Sequence, residues 1–228
     1  MYCSTTDQQE QYHPNKGQRS VYLGCPALGR IVSNEVSHYP GLRILWTPRW
    51  ETSSIYGGST FYAYKDLFIP LKKDYPSDLI IMRPHPLTFE NALKSDAMTN
   101  SEIKEYKTQN LNAGIVFDDN ASIDDTLKHV DVMITDFSSV IINAFLCGII
   151  IIYTGKETTL TPIDTFRKIM DCSYHAENWD QVLSILNMLR NNNDPLFEQR
   201  TVLADLMRKE HIDSDKAILR DIIQDYYS

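Results

Sequence analysis

Short apolar runs recur along the chain, and longer stretches with helical spacing of apolar positions separate them. Five of these runs are rich in β-branched side chains and apolar on both faces, which is typical of buried parallel strands. They are Leu42–Trp46, Leu79–Met82, Gly114–Phe117, Val132–Thr135 and Ile149–Tyr153. Because strands alternate with helices, the sequence predicts an α/β fold, a doubly wound parallel sheet of about six strands between helical layers.

The two ends of the chain differ from this alternating middle. Residues 1–19 are polar without periodicity and are predicted to be a flexible tail or the remnant of a linker. Three helices are predicted to cap the fold after the last strong strand: 179–190, 195–209 and 213–227. A further helix is predicted over 59–73, and Pro70 is expected to bend or end it. Residues 20–228 form a single predicted domain with no interior linker.

The composition is that of an ordinary globular protein, with 43% hydrophobic and 23% charged residues. A formal net charge of −8 and a pI near 5.2 argue against nucleic acid as a partner. The four cysteines show no paired spacing and are predicted to be reduced thiols. There is no apolar run of transmembrane length and no signal-peptide pattern. We therefore expect a cytoplasmic protein that can also bind peripherally at the inner face of the cell membrane.

Polar side chains cluster in the turn that follows the run Val132–Thr135. Asp136, Ser138 and Ser139 stand where an apolar helix begins, and unpaired backbone N–H groups at a helix start favour anions such as phosphate. Ligands of open α/β sheets lie at the carboxyl ends of the strands, which is where this turn falls. The alternative is that Asp136 or Ser138 only caps the helix. The sequence leaves both interpretations open.

A second polar stretch, Arg83-Pro84-His85-Pro86, also follows directly on a predicted strand. The two prolines fix the backbone around His85, whose imidazole can donate a hydrogen bond to a diphosphate or act as an acid or base near neutral pH. The alternative is a histidine that only bonds a neighbouring carbonyl. If the strands are parallel, Arg83 and His85 open at the same edge of the sheet as Asp136.

Arg49 and Trp50 follow a third strand. Arg49 is a candidate partner for phosphate, and Trp50 is a candidate to pack on a base or a sugar. A surface arginine and a core tryptophan explain the pair equally well. The acidic pairs Asp118-Asp119 and Asp124-Asp125 suggest a metal site at first, but helix caps in a solvated loop are favoured. We expect no metal and no cofactor.

Taken together, three motifs carry a family resemblance. Pro48-Arg49-Trp50, Arg83-Pro84-His85-Pro86 and the run from Asp131 through Ser139 occur in the order and rough spacing of the CDP-glycerol glycerophosphotransferases, the teichoic-acid polymerase family. The chain resembles that family's C-terminal, nucleotide-binding domain over about residues 20–225. The resemblance implies a Rossmann-like domain of the GT-B type, in which an N-terminal acceptor domain closes over a C-terminal donor domain.

The resemblance also implies residue roles and substrates. His85 would contact the donor diphosphate or assist transfer, and Ser138 and Ser139 would hold phosphate, with Arg49, Arg83 and Asp136 as further donor-binding residues. The implied donor is CDP-glycerol or another nucleotide-activated group, and the acceptor is a polymer or lipid-linked molecule. The expected function is the donor half of a transferase, with the N-terminal acceptor domain absent from this chain. Alternatives are a glycosyltransferase using a CMP- or UDP-sugar, and a non-catalytic nucleotide-binding module.

Overall fold

The computed structural model describes residues 2–3, 20–32, 39–51, 58–156 and 163–227. Within these ranges eight strands form two parallel sheets. The strands are β1 (Tyr2–Cys3), β2 (Val21–Tyr22), β3 (Arg43–Thr47), β4 (Leu79–Met82), β5 (Val116–Phe117), β6 (Val132–Thr135), β7 (Ile150–Tyr153) and β8 (Tyr174–His175). β1 pairs with β2, and the other six form the main sheet in the order β5-β4-β3-β6-β7-β8. The predicted six-stranded parallel sheet is confirmed.

Helices connect the strands and cover both faces of the main sheet. The helices are Pro26–Gly29, Phe61–Tyr64, Phe68–Asp74, Leu87–Lys94, Asn100–Asn112, Asp124–Leu127, Val140–Leu146, Asp164–Asp171, Trp179–Arg190, Phe197–His211 and Ser214–Tyr227. Their ends follow local chemistry. Thr99 and Glu102 form a reciprocal capping box at the start of Asn100–Asn112. Gly148, with φ of 84°, follows the end of Val140–Leu146, as the sequence predicts. The three predicted C-terminal helices are all present.

The core lies on both faces of the sheet because successive side chains of a strand point in opposite directions. In β3, the fully buried Trp46 packs against Phe61 and Phe68, with ring centroids 5.8 and 4.6 Å away. Leu45 points to the other face of the sheet. There it belongs to a second core cluster, together with Phe145 from the helix Val140–Leu146. Strands with both faces buried explain why the runs read as continuously apolar.

The prediction of one helix over 59–73, bent or ended at Pro70, is wrong about where the helix breaks. It divides into Phe61–Tyr64 and Phe68–Asp74, and the break lies before Pro70. Pro70 is the third residue of the second helix, where a backbone N–H has no partner within the helix and its absence costs little. Within the predicted tail, residues 4–19 lie outside the described residues, and Tyr2–Cys3 pairs in parallel with Val21–Tyr22.

Ion pairs tie strands and helices together at the amino end of the main sheet. The Arg43 guanidinium binds the Asp131 carboxylate through two N–O contacts of 2.6 and 3.1 Å, and the Arg43 backbone N–H donates to the same carboxylate at 2.9 Å. Asp78 is buried there as well, accepts from the Leu42 backbone N–H at 2.9 Å and forms an ion pair with Arg190. In the described part of the chain, no helix is long and apolar enough to cross a membrane.

Candidate functional site

The order of the strands defines where a ligand fits. From β3 the chain moves outward to β4 and β5, and then returns to place β6 on the other side of β3. The loops after β3 and β6 therefore leave the sheet in opposite directions and open a crevice between them. This is the topological switch point, where open α/β sheets bind their ligands at the carboxyl ends of the strands.

A cleft of about 560 Å³ lies at this switch point. It is lined by loops that follow four different strands. The residues are Thr47, Pro48, Arg49 and Trp50 after β3, Arg83, Pro84, His85 and Pro86 after β4, Ala121, Ser122 and Ile123 after β5, and Phe137, Ser138, Ser139 and Val140 after β6. The structure thus brings together five of the six predicted site residues. A cleft of this volume is within the range of about 300–1,000 Å³ that holds a ligand of drug size.

Asp136 is the predicted site residue that does not line the cleft. Its side chain is fully buried beneath it. Oδ2 accepts hydrogen bonds from the backbone N–H groups of Arg49 and Thr60, at 3.1 and 3.0 Å. Oδ1 lies 2.7 and 2.8 Å from the hydroxyl oxygens of Thr60 and Thr154. The Asp136 side chain neither caps the helix nor lines the cleft where a donor substrate would bind. It instead positions the loop that contains Arg49.

The two serines lie at the start of the helix Val140–Leu146. Ser139 is exposed, and its hydroxyl does not cap the helix. The Ser138 hydroxyl accepts a hydrogen bond of 3.3 Å from the Val140 backbone N–H, which is a weak cap. The capping interpretation therefore accounts in part for Ser138 and not for Ser139.

The Arg49 side chain reaches across the crevice toward these serines. Its guanidinium donates to the Phe137 carbonyl at 3.4 Å and lies 5.6 Å from the centre of the Phe137 ring. Because Phe137 directly precedes Ser138, the positive charge of Arg49 stands beside the start of the helix. An anion bound there meets the Arg49 guanidinium and the two serine hydroxyls together.

His85 is exposed at the opposite wall of the cleft, and its ring lies 6.0 Å from that of Trp50. Its Nδ1 accepts a hydrogen bond from the Leu87 backbone N–H at 3.1 Å, so the neutral imidazole carries its proton on Nε2. Burial of part of the ring and the nearby Arg49 cation lower the pKa of His85 below its ordinary value. His85 is therefore a neutral hydrogen-bond donor at pH 7.

Arg83 lines the cleft, and its guanidinium already binds an acidic side chain of the protein. One guanidinium nitrogen forms a 2.6 Å ion pair with the nearly buried Asp118. Burial tends to raise the pKa of Asp118, but hydrogen bonds from Thr126 and Arg83 outweigh it and lower that pKa. Asp118, considered above as a helix cap, instead holds Arg83 against the wall of the cleft.

Sequence reasoning missed two parts of the site. Ala121, Ser122 and Ile123 complete the cleft, and their position just after β5 is a signal that was available. Thr60 and Thr154, which hold Asp136, lie far from it in sequence and had no such signal. Within the described ranges, no group of three or more His, Cys, Asp or Glu side chains is arranged to hold a metal ion.

The six-stranded parallel sheet with helices on both faces defines the class of the fold, a Rossmann-like α/β domain of the GT-B type. Residues 42–147 match the model of the family CDP-glycerol:poly(glycerophosphate) glycerophosphotransferase. This segment contains all three motifs and every predicted site residue. The family resemblance predicted from the sequence is thereby confirmed for this segment. Comparison with curated protein sequences gave no match.

Solved structures show the same fold at low sequence identity. A variant of the wall teichoic acid polymerase TagF soaked with CDPG is 14% identical with a TM-score of 0.55, over 98% of this chain and 57% of that one. MnaA from S. aureus, solved with UDP, is 12% identical with a TM-score of 0.55, over 91% and 55%. An epimerase described as a UDP-N-acetylglucosamine 2-epimerase, from Listeria monocytogenes, is 12% identical with a TM-score of 0.51, over 89% and 51%. The chain spans between half and three-fifths of these structures.

Proposed function

We propose that this chain is the donor-binding domain of a transferase that moves glycerol phosphate, or a related polyol phosphate, from a CDP carrier to a cell-surface polymer. The observation that carries the proposal is the convergence of Arg49, His85, Ser138 and Ser139 on one cleft at the switch point. The family match over residues 42–147 and the fold shared with TagF support this choice of donor.

The cleft offers complementary contacts to a diphosphate. The hydroxyls of Ser138 and Ser139 at the start of Val140–Leu146 can donate hydrogen bonds to one phosphate group, and the Arg49 guanidinium lies beside them. His85 donates its Nε2–H from the facing wall. Hydrogen bonds to ionised groups are about twice as strong as neutral ones, so these few contacts are enough to orient the donor.

His85 supports transfer without acting as a base at Nε2. That nitrogen carries the proton as long as Nδ1 accepts from Leu87 N–H. In this tautomer the imidazole stabilises negative charge that develops on phosphate oxygens. A base for the acceptor hydroxyl must come from elsewhere, and the acceptor-binding half of a GT-B enzyme is the expected source. We therefore expect the chain alone to bind donor and not to complete the transfer, since positioning both reactants supplies much of the rate.

The experiment that tests the proposal measures binding and turnover separately. Isothermal titration of the purified chain with CDP-glycerol, CDP, CMP and UDP gives the nucleotide preference. Incubation with CDP-glycerol and a model polymer acceptor, followed by CMP release, gives turnover. We expect binding of the cytidine diphosphates and no acceptor-dependent release. Absence of binding by any cytidine nucleotide would overturn the proposal, and steady release by the chain alone would overturn its half-enzyme part.

The second candidate is a glycosyltransferase that uses a UDP- or CMP-sugar. The observation in its favour is that a neighbour of the same fold, MnaA, was solved with UDP. The same titration separates the candidates, because a preference for UDP over CDP supports the second and a preference for CDP supports the first.

A further inference from the structure

The last helix, Ser214–Tyr227, carries a row of exposed apolar side chains, here called the stripe. Its members are Leu219, Ile222, Ile223 and Tyr226, which are between 47% and 82% exposed. They follow one another at i, i+3, i+4 and i+7, the spacing that places side chains on one face of a helix. Of this helix, which the structure describes in full, only the first residue is buried. A continuous apolar face in water is costly and marks a site of interaction.

An apolar groove lies beside the preceding helix. It has a volume of about 620 Å³ and runs between the helices Asp164–Asp171 and Phe197–His211. Val202 and Leu206, one helical turn apart, supply apolar wall, and each is more than half exposed. The groove shares no residue with the cleft at the switch point. It is therefore a separate surface of the molecule.

The stripe and the groove match in length. At about 1.5 Å per residue, the stripe rises about 10 Å from Leu219 to Tyr226, and the groove extends about 12 Å along its helix from Glu198 to Leu206. An apolar helix face that lies in an apolar groove is a common mode of protein recognition. A helix with this stripe can therefore lie along the groove with all four of its apolar side chains covered.

The charges beside the two surfaces are complementary. Arg220 flanks the stripe, whereas Asp171 and Glu198 line the groove. None of these three side chains forms an ion pair with another described residue. Opposite charges across an interface favour one orientation of the partners over others. The groove therefore suits a helix that has a cation beside its apolar face, as Ser214–Tyr227 has.

A second copy of the chain supplies such a helix. Within one molecule the stripe and the groove both stay exposed, although they lie on consecutive helices. Two copies related by a two-fold axis can each place the stripe in the groove of the other, which closes the assembly with two equal contacts.

The area available fits a reversible dimer. The six exposed apolar side chains of one copy, five aliphatic and one tyrosine, offer on the order of 400 Å². Interfaces between identical copies are about 65% apolar, so this corresponds to roughly 600 Å² per partner. Stable complexes bury about 800 Å² per partner, and the dimer falls toward the lower end of their range.

We propose that this chain forms a reversible two-fold dimer in which the stripe of each copy lies in the groove of the other. Ile222 and Leu206 contribute apolar contacts from the two sides, and Arg220 of one copy faces Glu198 of the second copy. Because the groove and the cleft have no residue in common, this inference does not depend on the proposed function.

The test is sedimentation equilibrium of the purified chain from micromolar to sub-millimolar concentrations. Ile222→Glu puts a charge into the stripe and Leu206→Glu puts one into the groove, so each should raise the dissociation constant of the dimer at least about tenfold. The matched controls add the same charge elsewhere on the same two helices. Gln224→Glu lies on the side of its helix away from the stripe, and Thr201→Glu lies at an exposed residue outside the groove. Both controls should stay within about twofold of the parent, and melting temperatures report whether each variant keeps the fold.

Two further measurements test how the surfaces meet. A mixture of the Ile222→Glu and Leu206→Glu proteins retains one intact stripe opposite one intact groove, so it should associate more strongly than either variant alone. Arg220→Glu should weaken the dimer by about three- to fivefold, and the addition of Glu198→Arg to that variant should restore most of the loss.

Three outcomes would overturn the inference. A parent chain that stays monomeric at the highest concentration excludes a second copy as the occupant, and CDP titration still tests the proposed function separately. Loss of the dimer in Ile222→Glu with no effect of Leu206→Glu means that the two stripes pair with each other. A monomer that co-sediments with phosphatidylglycerol vesicles, and no longer does so in Ile222→Glu, assigns the stripe to a lipid surface.

Discussion

The carboxylate of Asp136 accepts a hydrogen bond from the backbone N–H of Arg49 at 3.1 Å, and this contact joins the loops that follow β6 and β3. The two residues are distant in sequence but meet at the switch point. The buried carboxylate faces away from the cleft, while the arginine side chain faces into it. The position of a cationic group at the surface of the cleft thus depends on an anionic group beneath it.

The first prediction concerns this carboxylate. Oδ2 of Asp136 accepts hydrogen bonds from two backbone N–H groups. Asp136→Asn replaces the carboxylate by an amide, which puts either a weaker acceptor oxygen or an NH₂ donor at that position. We expect the free energy of unfolding to fall by about 2–4 kcal/mol, because buried donors lose a charged partner. Nucleotide affinity should fall as well, since Arg49 moves. Urea unfolding and titration with CDP measure the two effects.

The control for that variant is Asp74→Asn, at an exposed carboxylate at the end of the helix Phe68–Asp74. It should change the free energy of unfolding by no more than about 0.5 kcal/mol. Parent-like stability of Asp136→Asn would show that the four contacts of Asp136 contribute little.

The second prediction separates phosphate binding from helix capping. Ser138→Ala combined with Ser139→Ala should weaken CDP binding at least about tenfold, because a hydrogen bond to a charged group contributes about 1.5–3 kcal/mol. The melting temperature should hardly change, since only the weak contact between Ser138 and Val140 is lost. Ser184→Ala, at an exposed position in the helix Trp179–Arg190, is the control. A double variant with parent-like affinity and a lowered melting temperature would leave capping as the role of these serines.

The third prediction uses the tautomer of His85. His85→Ala removes the Nε2–H donor and should lower affinity for CDP-glycerol about tenfold. His85→Gln keeps an N–H near the same position and should retain more of that affinity. His129→Gln, at an exposed histidine just before β6, serves as the control. Equal losses in the alanine and glutamine variants would argue against a hydrogen bond from Nε2.

The fourth prediction concerns the pKa of His85. The Arg49 cation disfavours the imidazolium, so Arg49→Gln should raise the pKa of His85 toward its ordinary value of about 6.5. Partial burial of the ring, the larger cause, should keep the pKa from rising fully. An NMR titration of the imidazole C–H signals in both proteins measures the change. An unchanged pKa in the variant would show that the Arg49 charge does not act on His85, and a lower pKa would contradict the expected sign.

Much of the fold was predictable because buried parallel strands leave a simple pattern. Apolar runs bounded by turns identified the four central strands, and the alternation of strand and helix predicted a parallel sheet, in which the carboxyl ends of the strands lie at one edge. From that alone, Arg49, His85 and Ser138 were expected to meet. The break before Pro70 was not predictable from the proline, because the same residue disrupts the middle of a helix and is tolerated in its first turn.

The role of Asp136 shows where sequence reasoning ends. A carboxylate at a strand end looks the same in sequence whether it faces a ligand or the interior. Its partners Thr60 and Thr154 come from distant segments, and only the packing of the sheet brings them together. The tautomer of His85 depends in the same way on one backbone contact, with Leu87, that residue types alone do not reveal.

The switch point is held from both ends of the two strands that form it. At the amino end the Arg43–Asp131 ion pair ties β3 to the residue before β6, and at the carboxyl end Asp136 ties the loops that follow the same strands. The gap between these strands is therefore preorganised, and a ligand does not have to order them when it binds. Binding causes a smaller loss of conformational entropy when the gap is already rigid than when the ligand must order it. Loss of either tie should thus weaken binding through a less favourable entropy, even where every group that contacts the ligand is kept.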